Sequence, residues 1–284
     1  YGQGLQRYWI ASDHAAHEGY SADGWEHYTT GEGYVLRGTK RVNDNVYLAD
    51  GDGRLIRGEN KDGSGWVVSS AYRQGLQRYW VESGGFTRVG SSTAGWNHFT
   101  TEAGFVLRGA ATLYDGSKVF ADNDGKLKES GWLVSSSFGQ GLQRYWFHDS
   151  KVFTDGLFNA GNGWWGFAKD DGAVLRGKFN SDDGYVYIAD NDGRLAGDDA
   201  CGWIVSSRYG DGLQRYWIDQ ARHAAKIGYS KEGWSHLTID GGYVLRGKHV
   251  SGNHVFLSDN NGLLESGRGW FVTSKYDGHY ERYW

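Results

Sequence analysis

The feature that most restricts this chain is that it repeats itself. Arg-Tyr-Trp stands at 7–9, 78–80, 144–146, 215–217 and 282–284, the first four inside the hexapeptide Gly-Leu-Gln-Arg-Tyr-Trp. Val-Leu-Arg-Gly begins at 35, 106, 174 and 244, and an Asp-x-(Asp/Asn)-Gly turn begins at Asp50, Asp122, Asp190 and Asp259. The three signatures keep one order, so the chain reads as four tandem modules of about 70 residues. They are 1–70, 71–136, 137–207 and 208–274, with 275–284 opening a fifth repeat as a capping strand. Gly-Trp pairs subdivide each module, with tryptophans at 25, 66, 96, 132, 164, 203, 234 and 270.

The local pattern is β. In Leu-Gln-Arg-Tyr-Trp-Ile, alternation puts Leu5, Arg7 and Trp9 on one face and Gln6, Tyr8 and Ile10 on the other. Trp25–Gly38 reads as two short runs around a Gly-Glu-Gly connection, and Val46–Ile56 as another hairpin around Asp50-Gly-Asp-Gly53. Helical spacing is never sustained, although 13–20 and 220–229 suit a single helical turn. Short hairpins are marginal alone and must stack to bury their aromatics. The expected fold is therefore an all-β open solenoid of stacked β-hairpins. The alternative is a closed, β-propeller-like array, disfavoured because Arg-Tyr-Trp stands at both ends of the chain.

Composition supports an ordered fold. The 284 residues include 46 glycines, 14 tryptophans and no proline, and 16% are aromatic, whereas disordered chains are poor in aromatics. The net charge of −4 argues against non-specific nucleic-acid binding. No apolar run is long enough for a membrane span, and no signal peptide is present. Without methionine, the sequence reads as part of a longer polypeptide. Cys201 stands alone and reads as a small structural residue.

Val46–Ser69 (VYLADGDGRLIRG…SGWVVS) and Val186–Ser206 (VYIADNDGRLAG…CGWIVS) resemble the cell-wall-binding repeats of choline-binding and glucan-binding proteins. That family's repeat is an aromatic strand, an Asp/Asn-x-Asp-Gly turn, a second strand and then Gly-Trp. The resemblance implies stacked hairpins, a secreted or bacterial cell-surface location, and partners among cell-wall or extracellular polysaccharides. This chain departs from the family in its longer units, in its Val-Tyr and Val-Phe pairs, and in the Leu-Gln-Arg-Tyr-Trp and Val-Leu-Arg-Gly strands.

A tryptophan on such a strand either fills core or offers a platform for a sugar ring or an ammonium group. By the family analogy both jobs meet at the junctions between hairpins. The candidate carbohydrate-binding pairs are Trp9 with Trp25, Trp80 with Trp96, Trp146 with Trp164, and Trp217 with Trp234, beside Tyr8, Tyr79, Tyr145 and Tyr216. A different hairpin register pairs Trp66 with Trp80 instead. Arg7, Arg78, Arg144 and Arg215 share the tryptophan face, either stacking on indole and donating to sugar hydroxyls or pairing with an acid. A cation already beside the rings favours a glycan over choline. Arg37, Arg108, Arg176 and Arg246 read as structural.

The Asp-x-(Asp/Asn)-Gly segments read as turns, since they lack the oxygens a calcium ion needs. His27, His98 and His236 occupy one module position, which Gly166 takes in the third, and no zinc spacing or cofactor fingerprint occurs. The third module is the odd one and its site is expected to differ or be lost. The expected function is non-catalytic, multivalent glycan binding. Alternatives are a structural spacer, adhesin stalk or protein-interaction array whose aromatics only pack, and a hydrolase hidden among the repeats.

Overall fold

The structure, a computed structural model, describes residues 5–72, 75–139, 141–197 and 201–284. It is all-β: 27 short strands pair antiparallel in nine two-stranded and three three-stranded sheets, and no helix occurs among the described residues. Of the two stretches suited to a helical turn, 220–229 opens on a single turn, closed by the His223 N–H donating to the Asp219 carbonyl, and goes no further, whereas 13–20 folds otherwise. The Asp13 carboxylate accepts from the Ala15 N–H, and the Asp219 carboxylate from the N–H groups of Ala221 and Arg222. These side-chain turns compete with a helical hydrogen-bond pattern. His14 and His223 take positive φ within them (66° and 50°).

Contacts divide the chain into two compact units. One comprises Tyr1–Ser130, Ser137–Gly139 and Phe147–Lys151, the other Gly131–Ser136, Gln140–Trp146 and Val152–Trp284. In the first, Val46, Leu48, Ile56, Tyr72, Tyr79 and Val81 form a core cluster. In the second, Val186, Ile188, Ala196, Tyr216, Ile218 and Ala225 do the same. The period-2 pattern of the Arg-Tyr-Trp strands explains both cores. Along Gln77–Val81 and Gln214–Ile218, the tyrosine and the closing aliphatic residue are buried, while arginine and tryptophan are half-exposed. A neighbouring tyrosine meets each buried ring edge-on, Tyr72 on Tyr79 and Tyr209 on Tyr216, both at 5.5 Å.

The acidic turns are as the sequence reads. Asp50 accepts from the N–H groups of Asp52 and Arg54, and Asp122, Asp190 and Asp259 repeat both bonds. The closing glycine has a left-handed backbone and no room for a side chain: a Cβ on Gly53 would lie 2.5 Å from Val35. That valine belongs to Val-Leu-Arg-Gly, whose role is to clasp two strands. Val35 N–H donates to the Arg7 carbonyl and Leu36 N–H to that of Tyr28, and the bonds recur at Val106, Val174 and Val244. The arginines that follow, Arg37, Arg108, Arg176 and Arg246, are exposed.

The hairpins that join a Gly-Trp strand to an Arg-Tyr-Trp strand span positions where the repeats were divided. Gly65–Ser69 pairs with Gln77–Val81 around the 70/71 division, and Gly202–Ser206 with Gln214–Ile218 around 207/208.

Candidate functional site

Hairpin register sets the aromatic geometry. Trp66 lies directly opposite Trp80, and Trp203 opposite Trp217, on one face of their hairpins. In each pair the indoles meet edge-on with centroids 5.0 Å apart. A third indole from the following hairpin completes the cluster: Trp96 stacks on Trp66 and Trp234 on Trp203, each at 3.9 Å and 18°. The pairings expected from sequence and the competing one therefore coexist. Trp80 and Trp96 meet through Trp66, and Trp217 and Trp234 through Trp203.

Two small features permit this packing. A Cβ on Gly95 would sit 2.4 Å from the Trp66 ring nitrogen and 2.7 Å from Trp80, and Gly233 has the same relation to Trp203 and Trp217 at 2.4 and 2.6 Å. The Gly of Gly-Trp is thus the floor on which two indoles rest. Beneath them lies a buried imidazole. His98 is 5.0 Å from Trp66 and His236 is 4.9 Å from Trp203, each with Nδ1–H donating to the carbonyl of its own Gly-Trp tryptophan. Burial pushes both imidazoles below their ordinary pKa, so they are neutral near pH 7. In His98 the bare Nε2 has no hydrogen-bond partner among the described residues.

The third cluster differs. Trp132 meets Trp146 at 5.0 Å as before, but Trp164 is 5.2 Å from Trp132 and tilted by 48°. Gly166 replaces histidine, and Phe158, directly across the strand, fills the vacated space and stacks on Trp146 at 5.6 Å and 12°. The serines that face His98 and His236, Ser92 and Ser230, are small for the complementary reason. A Cβ on Gly163 would meet nothing within 4 Å, so no indole rests on this glycine.

Each arginine of the Arg-Tyr-Trp strands lies over indole. The guanidinium carbon of Arg78 is 5.4 Å from Trp96, that of Arg144 is 5.4 Å from Trp132, and that of Arg215 is 5.3 Å from Trp234. The second acid of the neighbouring turn holds three of the four module arginines: Arg7 on Asp52, Arg78 on Asp124 and Arg144 on Asp192, at 3.0–3.4 Å. In the fourth module that position is Asn261, and Arg215 has no ion pair among the described residues. Both arginine roles considered from sequence, stacking and acid pairing, are thus combined.

The end clusters contain two indoles each. Trp9 meets Trp25 at 5.6 Å over His27, with Arg7 5.9 Å from Trp25. Trp270 and Trp284 lie 5.2 Å apart with Arg282 beside Trp270, and both indoles are largely exposed.

Of the residues proposed to bind carbohydrate, the tryptophans and arginines gather as described, but the tyrosines do not join them. Tyr79, Tyr145 and Tyr216 are wholly buried, because alternation turns them to the opposite strand face and into the core. Tyr8 is half-buried. Sequence reasoning named Trp66 only in the competing register and left out Trp132 and Trp203, together with the histidines beneath the rings and the particular acids that hold the arginines. It also missed a row of exposed aliphatics on the indole face. Val68 faces Arg78 at 53% exposure and Leu76, just before the strand, is 65% exposed, and Val134, Val205, Leu142 and Leu213 repeat them in sequence and exposure. The signal was present in the regular spacing of Gly-Leu-Gln-Arg-Tyr-Trp and Gly-Trp-x-Val-Ser-Ser.

No family model and no curated protein matches this chain in sequence. Solved structures do match. Choline binding protein F from Streptococcus pneumoniae aligns with a TM-score of 0.58 and 16% identity, over 92% of this chain and 96% of that one. The chain has the fold of a choline-binding repeat protein. A second structure of choline binding protein F, in the presence of a tetrasaccharide-pentapeptide peptidoglycan analogue, gives a TM-score of 0.57 at 16% identity and the same coverage. The hairpins expected from the cell-wall-binding resemblance are therefore present, in a choline-binding repeat fold reached with little shared sequence. Among the described residues, no helix is long and apolar enough to cross a membrane.

Proposed function

We propose that this chain is a non-catalytic, extracellular binding region that holds a glycan polymer of the bacterial cell surface at several equivalent sites. The observation that carries this is the indole face of the Arg-Tyr-Trp hairpins: an exposed leucine and valine accompany an arginine and half-exposed tryptophans, repeated along the chain. Repeated exposed apolar rows are what a binding surface keeps and a bare spacer has no reason to retain. The guanidinium over the rings occupies the place an ammonium ligand would take, so the face suits the apolar flank and hydroxyls of a sugar better than choline. That choline binding protein F was crystallised with a peptidoglycan analogue is consistent with a wall polymer as partner. The four modules, 1–70 to 208–274, are proposed to file as an open solenoid, with the segment at 275–284 as the next strand.

The ligand would lie across the outer face. The 3.9 Å stacks of Trp66 on Trp96 and Trp203 on Trp234 leave no gap for a ring between them. Arg7, Trp9, Trp25, Arg78, Trp80, Trp96, Arg144, Trp146, Trp164, Arg215, Trp217 and Trp234 remain the proposed contacts. A shallow site of this kind would bind at about millimolar strength, roughly −4 kcal/mol. Several tethered sites on one polymer raise avidity by about 10²–10⁴.

The same stacks favour a second reading, a spacer whose indoles are consumed in packing. Titration with peptidoglycan fragments, dextran and choline separates the two. A glycan that quenches tryptophan fluorescence, with the effect reduced in Arg78→Ala combined with Arg215→Ala, supports binding. Unchanged fluorescence with every polymer, and no retention on isolated cell walls, leaves the spacer. Turnover of cell-wall material would overturn the non-catalytic assignment.

A further inference from the structure

The second unit contains an open groove of about 640 Å³ that has no part in the indole clusters. Its walls include the rings of Phe167 and Tyr187, and its rim carries Asp155, Asp182, Asp183 and Arg222. Asp183 is already engaged, accepting from the Ser181 hydroxyl and pairing with Arg222 at 3.7 Å. Asp155 and Asp182 are exposed and have no ion pair among the described residues. Three aspartates against one arginine leave the groove negative, beside apolar ring surface.

The repeats show what such a place accepts. The hairpin of Gly156–Asn159 with Trp165–Ala168 corresponds to that of Gly19–Ser21 with His27–Thr29. Gly156 faces Ala168 as Gly19 faces Thr29, so Phe167 matches Tyr28 and Asp155 matches Glu18. In the adjoining hairpin Phe179 faces Tyr187 as Lys40 faces Tyr47. In the first repeat the Lys40 ammonium lies 5.7 Å over the Tyr28 ring and 3.6 Å from Glu18. A carboxylate, an aromatic face and an ammonium thus form one set. The third repeat keeps the carboxylate and the ring, packs Phe179 on that ring at 5.1 Å where the first repeat has its lysine, and opens a groove where the carboxylate stands. The other two repeats have Val89 and Ile227 at the carboxylate position.

We propose that this groove is a second ligand site, taking a sugar that bears a free, protonated amine. The ammonium would stand in the groove beside the acids, giving its N–H donors to Asp155 and Asp182, while the sugar ring lies against the groove side of Phe167 and Tyr187. A quaternary ammonium has the charge but no donor for the carboxylates. An N-acetylated sugar has the ring but no charge. The site stands independently of the glycan reading of the indole face.

The test is an amide-resonance titration of the intact chain with glucosamine, N-acetylglucosamine, glucose and tetramethylammonium. Glucosamine is expected to shift amides around 155–157, 167 and 181–183, leave the indole N–H signals in place, and bind at least about tenfold more tightly than the other three. Asp155→Asn and Asp182→Asn should each weaken it about tenfold. Phe179→Lys, which restores the first repeat's internal cation, should abolish it while amides outside the groove keep their positions. Equal binding of glucosamine and N-acetylglucosamine overturns the proposal, as does equal binding of tetramethylammonium or unchanged affinity in the aspartate variants. Movement of the indole signals in place of the groove amides overturns it too, and would assign the sugar to the indole face.

Discussion

The Trp203 and Trp132 clusters use the same three positions and solve the same packing problem differently. Around Trp203, glycine brings the backbone under two indoles, a third ring stacks in parallel, and a neutral histidine closes the base. Around Trp132, the glycine is uncrowded, the third ring tilts away, and Phe158 fills the base in place of an imidazole. The exchange is compensated across a strand pair: Ser230 faces His236, and Phe158 faces Gly166. A large ring on either strand requires a small residue on the other. The third cluster thus differs from the others in its packing, while its three indoles and its arginine stay together.

The largest effect that separates the two arrangements should come from the glycine of Gly-Trp. At Gly95 or Gly233 an alanine Cβ must displace indole atoms now 2.4–2.7 Å away, at a backbone φ of 74° or 72°. Overpacking and left-handed strain together should cost about 2–5 kcal/mol. At Gly163 the φ of 74° is the same but the space is empty, so Gly163→Ala should cost only the strain, about 1–2 kcal/mol. Urea unfolding followed by near-UV circular dichroism checks this. Equal losses at Gly233 and Gly163 would show that the indole contact contributes nothing.

Those glycines mark the limit of what the sequence makes legible. The repeats, the alternation of Gln-Arg-Tyr-Trp and the acidic turns each depend on neighbours close in the chain, so hairpins, turns and an all-β class could be read directly. Face assignment was legible too: Arg78 and Trp80 share one face and Tyr79 the other, from which the burial of Tyr79 follows by parity. The error over the tyrosines came from grouping residues by adjacency, when a strand separates neighbours. What could not be read was contact between hairpins. Trp96 reaches Trp66 across 30 residues and Arg78 reaches Asp124 across 46, and both depend on how one hairpin docks on the next. The substitution of Asn261 for the last turn acid and of Gly166 for histidine were visible as oddities, but their meaning needed the partners Arg215 and Phe158.

A smaller effect concerns pH. Burial holds the His98 and His236 imidazoles below their ordinary pKa, so below that ordinary value the unfolded chain binds more protons than the folded one. Their contribution to stability is therefore complete above the ordinary imidazole value and is lost as pH falls through it toward the depressed folded value. The Trp132 cluster, with Phe158 and Gly166, adds no such slope. Copying it into the first unit as Ser92→Phe with His98→Gly should flatten stability against pH between 7 and 5, whatever the double change does to stability at pH 7. Stability measured by denaturant at closely spaced pH values tests this. An undiminished slope would show that His98 does not titrate differently on folding.

The smallest effect sharpens the contrast between arginines. Arg78 and Arg144 are each held by an aspartate of the next turn, whereas the equivalent turn position in the fourth module is Asn261 and Arg215 lies over indole with no ion pair among the described residues. Asn261→Asp restores the missing acid without changing the turn, because the turn itself is closed by Asp259. The acids in the existing pairs are mostly exposed, so the gain should be no more than about 0.2–1 kcal/mol and should fade at molar salt. Asp124→Asn should lose a similar amount. If glycan binding uses guanidinium donors, the two changes should also act oppositely on it: an added acid engages donors of Arg215, and a removed one releases those of Arg78. A stability change with no change in glycan affinity would confine the arginines to packing on the indoles.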